Sequence, residues 1–141
     1  MDGASAIIGI VAFGFTVFNK VDTILKTVRG ASEELATLQE LSTDIEVLLL
    51  ALQRTDTDAH LRFRSPEELA YLDRLRARTQ RCLEQVEVFA EKVQRPSRNG
   101  QGVRRIKMFN WYIKKNDFDD IARKMKDLES SLGLMMAFVN S

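Results

Sequence analysis

The stretch Gly3–Phe18, GASAIIGIVAFGFTVF, carries no charge, and eight of its residues are large and apolar: Ile7, Ile8, Ile10, Val11, Phe13, Phe15, Val17 and Phe18. A helix on the surface of a water-soluble protein is apolar along one stripe only. At helical spacing this stretch is apolar nearly all round. Its small residues are ordered: Ser5, Gly9, Ala12 and Thr16 fall on one face, with Gly3, Gly9 and Gly14 as a looser second series. Small residues at such steps let another helix backbone approach closely, as in membrane helix pairs.

A secretory leader does not fit, because Asp2 stands at the start and no Lys or Arg occurs before Lys20. A permanent span needs about 20 apolar residues, and the roughly 22 Å rise of this stretch falls short of a ~30 Å hydrocarbon core. Eight such side chains favour insertion by only about 3–5 kcal/mol. A single copy is thus marginal in a bilayer. Two readings remain: a helix buried at the centre of a bundle, or one buried at rest and presented to lipid when several copies assemble.

The rest of the chain suits one all-α domain, 1–141, of four main helices. The 141 residues include two Pro, seven Gly and no recurring strand alternation. The first helix is expected over 1–29, its second half amphipathic through Val21, Ile24, Leu25 and Val28. Gly30 then suits a stop and Ser32 the next cap. The second, Glu33–Gln53, has a broad face of Leu35, Leu38, Leu41, Ile45, Leu48, Leu49 and Leu52. A polar loop, Arg54–Arg64, follows, with Leu61 and Phe63 tucked against the bundle. Ser65-Pro66-Glu67-Glu68 is a capping-box start for the third helix. Leu72, Leu75, Thr79, Cys82, Val86, Phe89 and Val93 then form a heptad seam. Residues 95–102, RPSRNGQG, read as a basic linker inside the domain. The fourth helix is expected to be interrupted near Asn116. Its seam is Phe118, Ile121, Met125, Leu128, Leu132, Met135 and Val139, a pattern still running at Ser141, as expected of a domain with more protein beyond it.

Net charge is +1, but it is unevenly spread. Lys92, Arg95, Arg98, Arg104, Arg105, Lys107, Lys114 and Lys115 form a run without acids, while the remainder holds 13 basic against 20 acidic residues. This run suits a solvated linker and helix face, or pairing with the acidic remainder, first, and anionic lipid, where each cation contributes about 1 kcal/mol, second. Nucleic-acid phosphates are a weaker fit, and no specific nucleic-acid partner is expected. The lipid reading gains from the apolar stretch, since stable membrane attachment takes two signals. One Cys and one His, with no phosphate loop, HExxH or CxxC, leave no catalytic residues, metal site or cofactor to assign. The lone Cys suits a reducing compartment. His60 reads as a solvated loop residue and Cys82 as a small buried hydrophobe.

Three segments in order, MDGASAIIGIVAFGF, LATLQELSTDIEVLLLALQ and RRIKMFNWYIKKNDFDDIARKMKDLESSLGLMM, together resemble the fungal HeLo-like N-terminal domain of STAND (NLR-like) receptors and amyloid-signalling proteins. The resemblance implies a helical bundle, cytoplasmic at rest and at the plasma membrane on activation, that executes programmed cell death. It implies that Ile7, Ile8, Gly9, Ile10, Val11, Phe13, Gly14, Phe15 and Phe18 enter the membrane, with Gly9 and Gly14 as zipper positions. It also implies self-association, driven by an upstream receptor or amyloid-templating partner acting through a C-terminal region that this sequence lacks. A helical adaptor or oligomerisation module of a STAND-type receptor is the alternative.

Overall fold

Four long helices and one short one account for nearly all of residues 3–27, 33–55, 57–94 and 115–141, which the computed structural model describes. They are α1 (Gly3–Thr27), α2 (Glu33–Arg54), α3 (Thr57–Leu61), α4 (Pro66–Gln94) and α5 (Lys115–Val139). The described residues contain no strand. The all-α bundle expected from the sequence is what forms.

The long helices surround one core in the cyclic order α1, α2, α5, α4, so that α1 and α5 stand diagonally opposite. Gly14 beside Leu49, and Asp22 beside Ser42, make α1 and α2 antiparallel. Thr79 with Ser131, and Tyr71 with Phe138, do the same for α4 and α5. The crossing from α2 to α4 is therefore diagonal, and α3 fills it. The stretch expected to be a plain loop contains this extra helix, and its Leu61 is buried as expected. Phe63 is not tucked in: it is 89 % exposed. His60 is exposed, on α3 rather than in a loop.

Local signals explain where α4 begins. Glu68 N–H donates to Ser65 Oγ at 3.1 Å, and Ser65 N–H donates to Glu68 Oε1 at 2.9 Å, the reciprocal pair of a capping box. The Ser65 N–H, and after it the Ser65 hydroxyl, hold the Glu68 carboxyl below its ordinary value. Arg64, just upstream, closes the opposite end of α5. Its Nη2 donates to Phe138 O (2.7 Å) and Ser141 O (2.9 Å), and its guanidinium lies 4.6 Å from the Phe138 ring centroid. Carbonyls that a helix C-terminus leaves unpaired are thereby satisfied.

The seams pack as their spacing requires. Leu72, Leu75, Thr79, Cys82 and Val86 of α4 are buried, as are Ile121, Met125, Leu128, Leu132, Met135 and Val139 of α5, with Phe89 and Phe118 half-buried. Leu83 and Ala90, off the heptad seam, are also fully buried, because α4 contacts α1 as well as α5. Two buried hydroxyls, Thr79 and Ser131, are hydrogen-bonded to each other across the α4–α5 seam, and Thr79 Oγ1 also donates to Leu75 O at 2.8 Å. Burial pushes the Cys82 thiol up, away from the reactive thiolate.

Leu49 of α2 is seated directly on Gly14 of α1. A Cβ there would lie 2.7 Å from Leu49 Cδ2 and 2.9 Å from Leu49 Cδ1, while one at Gly9 would meet nothing within 4 Å. Two opposite outcomes follow in urea unfolding. Gly14→Val destabilises by about 1–3 kcal/mol through overpacking, and Leu49→Ala costs less in that background than in the wild-type chain. Gly9→Ala stabilises by about 0.5–1 kcal/mol through helix propensity alone.

Candidate functional site: the two faces of helix α1

The apolar stretch is divided by the fold. Ile7, Ile10, Val11, Gly14, Val17 and Phe18 are buried, the last two completely, and Phe13 and Phe15 are half-buried at the seams with the neighbouring helices. Ile8 (65 % exposed), Gly9, Ala12, Thr16, Asn19 and Thr23 face solvent. Gly9 and Gly14, paired as zipper positions by resemblance, thus lie on different faces. Gly14 receives Leu49, and Gly9 stands on the open side with Ala12 and Thr16.

The outward face carries no charge from Ile8 to Asn19. Its hydroxyls are turned inward to the backbone: Thr16 Oγ1 donates to Ala12 O at 3.2 Å, and Thr23 Oγ1 to Asn19 O at 2.9 Å. This arrangement lowers their demand for water, as Ser and Thr do in membrane helices. The outward faces of α2 and α4, by contrast, carry Glu33, Glu34, Glu40, Asp44 and Arg54, and Asp73, Arg74, Arg78, Arg81 and Glu84. Among the described residues, α1 alone has a stretch, Ile7–Lys26, long and apolar enough to cross a membrane, and 44 % of its most apolar window is buried. Both a soluble core helix and a span satisfy that composition.

Polar contacts hold the second half of α1. Lys20 Nζ lies 3.0 Å from Glu87 and 3.9 Å from Glu91 of α4. On the other flank, buried Ser42 of α2 donates to Asp22 Oδ1 at 2.8 Å, and Glu46, one turn on, shares a hydrogen bond with Asp22. Burial, then the bond and the charge of Asp22, push the Glu46 carboxyl up to about 7, against the opposing pull of Lys26. Nothing in the local spacing of the sequence points to this pair. Asp22 and Glu46 come from different helices, and only the antiparallel register of α1 and α2 brings them together.

Of the cations assigned to lipid, Arg95, Arg98, Arg104, Arg105, Lys107 and Lys114 lie outside the described residues, as do the linker 95–102 and the side chains of Lys92 and Lys115 at the helix ends. Among the described residues no cluster of His, Cys, Asp and Glu is placed to hold a metal ion. Comparison with family models, curated proteins and solved structures finds no match to this chain.

The raised Glu46 carboxyl has a defined effect on stability. Between its ordinary value of 4.5 and about 7, the folded chain binds more protons here than the unfolded chain. This group's contribution to stability therefore falls as pH rises through that window and stays low above it. Glu46→Gln removes that slope. Its stability relative to wild type should rise between pH 4.5 and pH 8 in matched urea titrations, with hydrogen exchange in α1 slower than wild type at pH 8.

Proposed function

We propose that the chain is a cell-death execution domain of the HeLo-like kind, cytoplasmic at rest, whose α1 leaves the bundle on assembly to enter and permeabilise the plasma membrane. The observation that carries this reading is the uncharged outward face of α1. A core helix needs apolar residues only where it is buried, yet from Ile8 to Asn19 the solvent side is Ile, Gly, Ala, Thr and Asn. In water that face gains nothing from lacking charge. In a bilayer a charge at the centre of a span costs about 2.5–3.5 kcal/mol. Anionic lipids and other copies of the chain are the direct partners. An upstream receptor or amyloid template acting on a C-terminal region supplies the local concentration that one marginal helix needs.

The alternative, a helical adaptor or oligomerisation module of a STAND-type receptor, draws on the depth to which α1 is buried. Val17 and Phe18 are at 0 % exposure and Ile7 at 1 %. It requires α1 to remain in the core under all conditions, with no affinity for vesicles.

Ile10 and Phe13 are poor probes of insertion, because one is core and the other is packed against it. Ile8 and Ala12 are exposed, so carboxylates there leave the bundle within about 0.5 kcal/mol of wild type. At the centre of a bilayer two carboxylates cost about 5 kcal/mol or more, against the 3–5 kcal/mol that the apolar side chains supply. Ile8→Glu with Ala12→Glu, fused to a trimerising tag, should therefore lose dye release from anionic liposomes at least tenfold while melting and assembling as the parent does. Undiminished release by this variant would rule out insertion of α1.

A further inference from the structure

From Asp73 to Glu91 the charges of α4 are largely sorted around the helix, while Glu67 in the first turn is an acid on the arginine side. Asp73, Glu84, Glu87 and Glu91 lie on the side toward α1, where Glu87 and Glu91 meet Lys20 and Asp73 pairs with Arg76 at 3.6 Å. Arg74, Arg78 and Arg81 lie on the other side, within about 60° of one another at 100° per residue. All three are exposed. Among the described residues none has a carboxylate within ion-pair distance, and the Arg74 guanidinium lies 5.9 Å from the Tyr71 ring centroid. The acids on the adjoining side of α5 do not neutralise this row. Asp120 is engaged by Arg123 and Lys124, and Asp127, whose charge acts on the Cys82 thiol, makes no ion pair with any of the three.

Like charges three and four apart destabilise a helix, and an ordinary solvated face intersperses the two signs. Here repulsion is retained where acids were placed only a third of a turn away. Apolar groups frame the row. Tyr71 (38 % exposed) and Leu134 (43 %) stand at one end and Val88 (63 %) at the other. Phe63, 89 % exposed between Arg62 and Arg64, projects from the corner at the Tyr71 end. Cations in a row with an interfacial tyrosine and bare aliphatic and aromatic tips match the boundary between phosphate headgroups and acyl chains. A nucleic acid would use the arginines and leave Leu134 and Val88 facing water.

We infer that the α4 arginine row, Arg74–Arg78–Arg81, is a docking surface for an anionic bilayer, engaged weakly and reversibly by the otherwise cytoplasmic bundle while α1 is still packed. This rests on the membrane reading above for the identity of the partner, but it needs neither assembly nor release of α1. It adds folded residues to an attachment that the sequence assigned wholly to the run from Lys92 to Lys115. Lys92 continues the register of the row, so the two are contiguous along the chain.

The test is co-sedimentation of the untagged full chain with phosphatidylserine–phosphatidylcholine vesicles at low salt. At about 1 kcal/mol per cation, removing three should weaken partitioning on the order of a hundredfold. We expect that loss for R74Q/R78Q/R81Q, with unchanged thermal melting, and a smaller loss for Phe63→Ser. K26Q/R54Q/K126Q removes the same charge from other exposed positions and should retain most binding. Equal losses in the two triple variants, or full binding by R74Q/R78Q/R81Q, would overturn the assignment. So would a larger effect of the row on duplex-DNA affinity than on vesicles. Tethering R74Q/R78Q/R81Q to the vesicle by a metal-chelating lipid should restore leakage on assembly. Leakage by the wild-type chain without any need for the row would overturn this surface and leave the insertion reading standing.

Discussion

Helix α1 must bury one face in the bundle, and that requirement organises everything else. Ile7, Ile10, Val17 and Phe18 are each at 2 % exposure or less, in a helix that packs against both α2 and α4. Each such side chain stabilises the fold by about 1.5–3 kcal/mol relative to water. Acyl chains are as apolar as a leucine core, so transfer to lipid returns most of that term. What transfer does not return is close packing, such as Leu49 seated on Gly14, and the apolar groove left on α2 and α4. The proposed switch is therefore a competition between packing and assembly rather than between water and oil.

The two halves of α1 are held by different physics. Up to Phe18 the contacts are apolar and indifferent to pH and salt. Beyond it, Lys20 reaches α4 and Asp22 reaches α2, so each neighbour holds the helix through a polar group as well. Lys20 and Glu87 are partly exposed, and a pair of that kind contributes about 1 kcal/mol or less. The Asp22–Glu46 pair opposes the fold once both are ionised. The polar links therefore fix register more than they add stability, and they leave the apolar half as the determinant of where α1 resides.

Much of this was legible in the sequence because it is local. The Ser65–Glu68 box, the seams from Leu72 to Val86 and from Ile121 to Val139, and the all-round apolarity of Gly3–Phe18 are properties of spacing. They required only a helix to become structure. What escaped depends on partners distant in the chain. Leu83 and Ala90 are core because α1 lies beside α4. Phe63 is bare, two residues beyond the end of α3 and at the corner before α4. The Asp22–Glu46 pair depends on interhelical register. The arginine row was visible as spacing, but its significance depended on seeing that no carboxylate reaches it. The fungal HeLo-like resemblance supplied a function that no composition or spacing contains, and it remains a proposal.

The central claim is that α1 has two residences. A spin label at Ala12, introduced through Ala12→Cys in a Cys82→Ala background, sits on the exposed face and leaves the packed one alone. Its accessibility to a water-soluble nickel complex and to lipid-partitioning oxygen should be measured for the free bundle and for chains assembled on anionic vesicles. The account predicts that the label is open to nickel at rest and exchanges this for oxygen on assembly. A label that stays open to nickel and closed to oxygen while the chains are assembled on the vesicle would contradict it.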